Sequence, residues 1–268
     1  MTAILHISDT HFGTERQAVV DALVDLAQAC RPEVVLLGGD ITQRARRAQF
    51  ARARRFVDRL GAPVLAVPGN HDIPLFNVIA RLFDPYGHYR RAFGKDREPV
   101  HESGSVLAIG VDSTRFYRHK QGTVSRHQVE RVANLLAQAR PEQLRIVLMH
   151  HPLVAMEERD EENLARGRDY AIRAWSRAGA DLVLGGHIHL PYVAALSHGG
   201  EARNAWAVQA GTAVSTRQRS GLPNSVNLLH WRPEADRHPS CVMERWDFLS
   251  RHGRFERTSE ERLALARH

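Results

Sequence analysis

Eight residues of this chain are of types that bind divalent metals or move protons, and each follows a short apolar run. They are Asp9 and His11 after residues 3–8, Asp40 after 33–37, and Asn70 and His71 after 64–67; then His150 after 144–149, and His187 and His189 after 181–184. Loops at the ends of strands are where open α/β sheets place their chemistry. Carboxylate oxygen and neutral imidazole are ligands for borderline ions such as Mn, Fe, Zn and Co. Two carboxylates, one amide and five imidazoles are too many for one tetrahedral ion and suit two. Two ions about 3.5–4 Å apart can clamp a phosphoryl oxygen, share a hydroxide at neutral pH and stabilise a leaving oxygen. In Asp9-Thr10-His11 and His187-Ile188-His189 the ligands stand at i and i+2, which predicts one side of an extended chain.

The elements that must hold these residues read in order. Strand-like runs at 3–8, 33–37 and 64–67 alternate with helical periodicity over 15–30 and 44–60, giving βαβαβ. The strands are apolar throughout, as in a sheet covered on both faces. Residues 73–100 interrupt this rhythm: 73–83 can be helical, Pro85, Gly87 and Gly94 break it, and the segment reads as an insertion or cap beside the site. A hairpin of 100–103 with 105–111 ends in Asp112, and a helix over 125–139 has Ser125 as its N-cap. A strand at 144–149, a helix at 160–178 and a strand at 181–184 follow. Strands at 192–196, 205–210, 226–231 and 242–248 then run without crossover helices, which predicts a second sheet of their own. The last twenty residues, 249–268, are charged and read as a tail with a short surface helix at 259–267, leaving 1–248 as the catalytic domain.

With these blocks in hand, the sequence resembles the calcineurin-like metallophosphoesterases. The blocks are Asp9-Thr10-His11, Gly39-Asp40, Gly69-Asn70-His71-Asp72, His150 ending a strand, and Gly186-His187-Ile188-His189. Any one could arise by chance; five in order at strand ends are specific, and the resemblance spans residues 3–215. It implies an α/β fold, a four-layer α/β/β/α sandwich of two mixed sheets flanked by helices. It also implies two divalent ions, Mn and/or Fe foremost, with Zn or Co able to substitute. The first would be held by Asp9, His11, Asp40 and His189, the second by Asp40, Asn70, His150 and His187, with Asp40 bridging. Hydroxide between or on the metals would attack, and His71 would lie near the phosphoryl oxygens to stabilise charge or protonate the leaving group. The sequence departs from many members at Gln43, where an acid or a base stands three positions after the bridging Asp. An acid there would orient His71, so its absence weakens a general-acid role; Asp72 is the nearest substitute.

Among the family, the blocks look most like bacterial class III 3′,5′-cyclic-nucleotide phosphodiesterases and glycerophosphodiesterases, which points to a small phosphodiester substrate. A nuclease is the competing reading, since the formal charge is +7 and nucleic acid attracts such a surface. Against it, only two residues are lysine and the arginines, including 44, 46, 47, 52, 54 and 55, mix with acids on helix faces. A scaffold that binds metal without turnover is a third reading, opposed by the intact ligand set. No run is apolar and long enough for a membrane span, and the start lacks a signal-peptide pattern. Cys30 and Cys241 are isolated, as expected of free thiols in a cytoplasmic protein that is a monomer or homodimer. The other histidines read as structural: His6 in the core, His151 facing away from His150. Asp112 and the Gly211-Thr212 pair are minor candidates for approach to the site.

Overall fold

The computed structural model describes residues 1–118, 120–196, 205–219, 221–232 and 240–266. The first sheet takes β1 (Thr2–Ile7), β2 (Val34–Leu37) and β3 (Val64–Ala66) in parallel, joined through α1 (Gln17–Cys30) and α2 (Arg47–Arg59). The second is built on β5 (Val106–Val111), β6 (Leu144–Met149) and β7 (Leu182–Gly185), also parallel. Before β5 come two short helices, α3 (Val78–Phe83) and α4 (Gly87–Phe93), and β4 (Val100–Glu102), which pairs antiparallel with β5 as the expected hairpin. Helices α5 (Arg126–Ala137) and α6 (Arg168–Ala178) connect the later strands.

Period-two alternation in these strands explains why they are apolar on both faces. Leu5, Ile7, Val35 and Leu37 pack under α1 and α2. Their neighbours Ile4, Val34 and Leu36 point the other way, into a core shared with Ala108, Ile146, Leu148 and Leu184 of the second sheet. Ile109, Val147 and Val183 then face Val129, Val132 and Trp175 of α5 and α6. Three apolar interfaces separate four layers: the α/β/β/α sandwich of two mixed sheets that the motifs implied.

The late strands depart from expectation. They do not form a sheet of their own: β8 (Tyr192–Leu196) and β9 (Ala205–Gln209) extend the second sheet beyond β7, whereas β10 (Ser225–Trp231), β11 (Ser240–Leu249) and β12 (Arg254–Ala264) extend the first beyond β1. Hydropathy shows that a strand has two covered faces but not which edge it joins. The segment read as a helix at 259–267 is strand β12, paired with β11 over its whole length; residues 267–268 lie outside the described residues. Phe255, Leu263 and Leu265 are buried in the two cores while the charged residues between them lie on the open edge. A strand pattern with only three buried anchors is diluted by charge, and edge strands carry that charge to discourage further pairing.

Two helices are shorter than the periodicity suggested. The expected helix at 160–178 starts only at Arg168, because Gly167 takes φ +83° with its Cα against the Val124 carbonyl; a 3-10 turn occupies Glu158–Asn163. The expected helix at 73–83 shrinks to α3, capped by the Asn77 side chain on the Ala80 N–H at 3.0 Å. Ser125 caps α5 as expected, its Oγ accepting from Gln128 N while Gln128 Oε1 accepts from Ser125 N. Among the described residues no helix is long and apolar enough to cross a membrane.

Candidate metal centre

The candidate ligands leave the carboxyl ends of β1, β2 and β3 in one sheet and of β6 and β7 in the other, so they meet where the two sheets abut. Five of them, Asp9 (φ 53°), His11 (42°), Asp40 (46°), His187 (73°) and His189 (55°), have left-handed backbones. The i, i+2 pairs therefore do not share a side of an extended chain, as spacing alone predicted. They converge because the chain curls back at each ligand, a conformation costing about 1–2 kcal/mol per non-glycine residue. The curl needs close backbone approach. A Cβ on Gly39, itself at φ +87°, would stand 2.7 Å from His150 Nδ1, and one on Gly186 would overlap Ser8 Oγ and the Asp9 carboxylate.

All the predicted residues come together. His189 Nε2 lies 3.1 Å from Asp9 Oδ1 and 3.1 Å from His11 Nε2, which is 3.7 Å from Asp40 Oδ2. On the other side of Asp40, His150 Nε2 is 3.3 Å from its Oδ1 and 3.2 Å from Asn70 Oδ1, and His187 joins the same group. Donor atoms around an ion held at about 2.1 Å stand about 3.0–3.5 Å apart, so this spacing suits cations. The donor chemistry fits as well. His150 Nδ1 meets the Gly38 carbonyl at 2.8 Å and His189 Nδ1 the Arg217 carbonyl at 2.6 Å. A carbonyl only accepts, so each Nδ1 carries the proton and each Nε2 offers its lone pair to the cluster. His11 Nε2 faces His189 Nε2 at 3.1 Å, so the His189 lone pair meets either a proton on His11 or a cation between the rings; His11 Nδ1 is itself buried with no hydrogen-bond partner among the described residues. His187 Nδ1 is buried and has no hydrogen-bond partner among the described residues.

Electrostatics agree. Burial opposes charge on Asp9 and Asp40, yet His189 and His150 beside them hold both carboxyls below the usual range. Burial likewise works against a charged His150, but Asp40 lifts it to about 9, whereas burial takes His11 and His187 down to about 3. The two carboxylates are thus held anionic and His11 and His187 neutral, while the carboxylates raise the proton affinity of His150 and, through Asp9, of His189; such a cluster attracts positive charge at its centre.

Several supporting contacts had no sequence signal. Asp72 does not orient His71. Its carboxylate accepts from Ile41 N (3.0 Å), Thr42 N (2.8 Å) and Gly69 N (2.9 Å), tying the Asp40 loop to the Asn70 loop; burial and the Asp40 charge push it up to about 7. Thr212 Oγ1 donates to the Asp9 carbonyl at 2.6 Å, so Thr212 braces a ligand from behind. Asp112 stays out of the site, bound to Arg97 Nε at 2.7 Å. His151 packs its ring on His187, centroids 4.5 Å apart, with Nδ1 on Ser113 Oγ, and His6 sits in the core beside Asn227.

His71 projects into a cavity of about 730 Å³ that opens over Asp40, Asn70, His187 and His189. Its Nδ1 meets the backbone carbonyl of Gln43 at 3.0 Å, so a carbonyl stands where a carboxylate was missing. Its Nε2 accepts from Arg217 Nη1 at 3.0 Å. A third cluster by distance joins His71 to His11 and Asp40, but a ring nitrogen facing a guanidinium is a poor cation ligand. Arg217, on the loop after β9, escaped the sequence reading because no motif surrounds it.

The Calcineurin-like phosphoesterase family profile matches residues 2–191 of the chain. This chain belongs to that family. As a calcineurin-like phosphoesterase it is a metal-dependent phosphoester hydrolase. It is 28% identical over 204 residues to a probable cyclic nucleotide phosphodiesterase of Synechococcus sp., covering 71% of this chain and 74% of the relative. It is 24% identical over 201 residues to a probable glycerophosphodiester phosphodiesterase GpdQ of Arcobacter nitrofigilis, covering 69% of this chain and 71% of that one. Among solved structures, the purple acid phosphatase PPD1 of yellow lupin (Lupinus luteus) superposes with a TM-score of 0.70 at 11% identity, over 98% of this chain and 53% of the lupin chain. The chain spans about half the lupin enzyme's length, and the likeness is one of fold.

Proposed function

We propose that this calcineurin-like phosphoesterase hydrolyses small phosphodiesters, 3′,5′-cyclic nucleotides foremost, with two divalent ions. Asp9, His11, Asp40 and His189 would hold one ion; Asp40, Asn70, His150 and His187 would hold the other. The observation that carries this reading is the single carboxylate of Asp40, with His11 and the Asp9–His189 pair on one side and His150, Asn70 and His187 on the other. Two such ions supply Lewis-acid charge to the phosphoryl oxygens and a nucleophile at neutral pH. The chain's own residues do the rest. Asn70 and the His71 N–H, which donates to Asp40 Oδ1 at 2.8 Å, fix the loop that faces the phosphoryl group. His71, proton on Nδ1 toward the Gln43 carbonyl, holds its Nε2 over the cavity. It is the neutral Gln43 carbonyl that faces that Nδ1, which favours positioning over proton donation.

The cavity's size supports a small diester rather than a polymer, and so do the names of the two bacterial relatives. The arginines of α2 are partly neutralised, Arg54 by Asp58 at 2.5 Å and Arg59 by Asp21 at 2.7 Å, which weakens the nuclease reading. Cys30 and Cys241 are not joined in a disulfide, which supports a cytoplasmic location.

The test supplies Mn²⁺ to metal-stripped protein and follows product from bis(4-nitrophenyl) phosphate, cyclic AMP and a glycerophosphodiester. Turnover of the activated diester and cyclic AMP is expected, with Asp40→Ala losing both ions and at least 10²-fold in rate. Turnover of the glycerophosphodiester in place of cyclic AMP would move the substrate to that class. Full activity in Asp40→Ala with metal retained would sink the two-ion assignment.

A further inference from the structure

The cavity above the metal centre is lined by Arg44, Lys120, Arg159, Arg217 and Arg219 as well as by acids. Most of these cations are already matched. Arg159 pairs with Glu157 at 2.5 Å, Arg219 with Asp160 at 3.0 Å, and Lys120 with Glu162 at 3.9 Å. Arg44 lies over the Phe76 ring, 5.1 Å from its centroid, at the edge away from the ligands.

Arg217 is different. It has no carboxylate within ion-pair distance among the described residues, and its contacts are all neutral acceptors reached through one nitrogen. Nη1 donates to His71 Nε2 at 3.0 Å and to Gln43 Oε1 at 3.2 Å. Nη2 and Nε have no hydrogen-bond partner among the described residues. The backbone is pinned: Arg217 N donates to Ser215 Oγ at 3.1 Å, and its carbonyl takes the proton of His189 Nδ1. One residue thus orients a ligand with its backbone and suspends an uncompensated, half-buried guanidinium against His71. A guanidinium stays charged at any working pH, and two parallel N–H groups match two oxygens of a phosphoryl group.

We propose that Arg217 is a phosphoryl-binding residue of this site, its free N–H groups gripping a non-bridging oxygen of the substrate while Nη1 holds His71 in place. This rests on the phosphodiesterase reading for its substrate, but not for its anion chemistry. Position 43 offers an amide rather than a charged side chain, and the amide's role becomes that of anchoring a cation delivered from another loop. Charge close to the reacting phosphorus then comes from 217, beyond the last motif block.

The test uses the full chain loaded with Mn²⁺ and measures binding of inorganic phosphate by calorimetry, together with metal content and hydrolysis of bis(4-nitrophenyl) phosphate. Arg217→Ala should weaken phosphate binding roughly tenfold or more and lower turnover, with metal content unchanged. Arg217→Lys should recover part of the phosphate affinity, and free guanidinium should restore part of the turnover of Arg217→Ala, which a purely structural role would not allow. Arg159→Ala, which removes the same charge from the rim, should stay within about twofold of the parent. The proposal is overturned if Arg217→Ala binds phosphate as the parent does with its metals in place, or if Arg159→Ala weakens binding equally. Phosphate binding that depends on Arg217 in a protein that turns over no diester would uphold this residue's role and overturn the diesterase reading instead.

Discussion

Asp40 and its companions sit in backbone conformations that most side chains avoid, and this strain belongs to function rather than to folding. Asp40 has φ 46°, and the adjoining Gly39, at φ +87°, is placed so that any side chain would meet His150. Glycine takes such angles freely, whereas alanine pays about 1 kcal/mol for them. In metal-free protein, Asp40→Gly should therefore be more stable than Asp40→Ala by about 1 kcal/mol in urea unfolding. Equal stabilities would mean that the left-handed turn relaxes once the carboxylate is gone. The neighbouring Asp72 shows the complementary economy: a buried carboxylate that meets no substrate, yet satisfies three backbone N–H groups of the two loops on which Asp40 and Asn70 ride.

At the scale of elements, the C-terminal hairpin is the part whose meaning changed most. β12 completes the first sheet and delivers Leu263, 1% exposed, into the core between the sheets. Leu263→Ala should cost about 2–4 kcal/mol in unfolding free energy; a change under 0.5 kcal/mol would restore the picture of a surface tail. Arg257 Nη1, which reaches Glu244 Oε1 at 2.8 Å, lies on the open side and is half exposed. Its loss should matter little by comparison. The loop after β9 serves both core and site: Ala213 and Val214 are buried in the core of the first sheet, and three residues on the chain carries the Arg217 backbone and side chain to the candidate metal site.

For the whole molecule, buried imidazoles set the response to acid. Burial lowers His6, His11 and His187 to about 3, so the fold keeps them neutral while the unfolded chain protonates them near 6.5. Their contribution is intact above that value and is lost as pH falls below it. His150, raised to about 9, adds stability that is complete below 6.5 and fades toward 9, so it is flat in the same window. Asp72, raised to about 7, opposes the loss, being protonated in the fold before it is in the unfolded chain. The three histidines outweigh it. Metal-free protein should lose on the order of 2–3 kcal/mol per pH unit below 6.5, measured by urea unfolding in EDTA at pH 7.5, 6.5 and 5.5. A flat profile would contradict neutral burial of these rings.

The sequence by itself singled out the candidate ligands and the strands that present them. Asp9, His11, Asp40, Asn70, His150, His187 and His189 were legible because each ends a short apolar run, and local hydropathy and turn residues encode that. Strands apolar on both faces implied covered sheets, and the resemblance carried by the motif blocks implied the four layers. The tertiary structure alone decided the rest, since it depends on contacts between residues far apart in the chain. Which sheet the late strands join, and that 254–264 is a strand at all, is fixed by edge pairing that leaves only sparse buried anchors in the sequence. The left-handed turns at the ligands arise because loops from two sheets crowd one point, forcing φ values that local propensity opposes. Arg217 reaches His71 across 146 positions of chain, and a side chain with no motif around it acquires its neighbours only when the molecule folds.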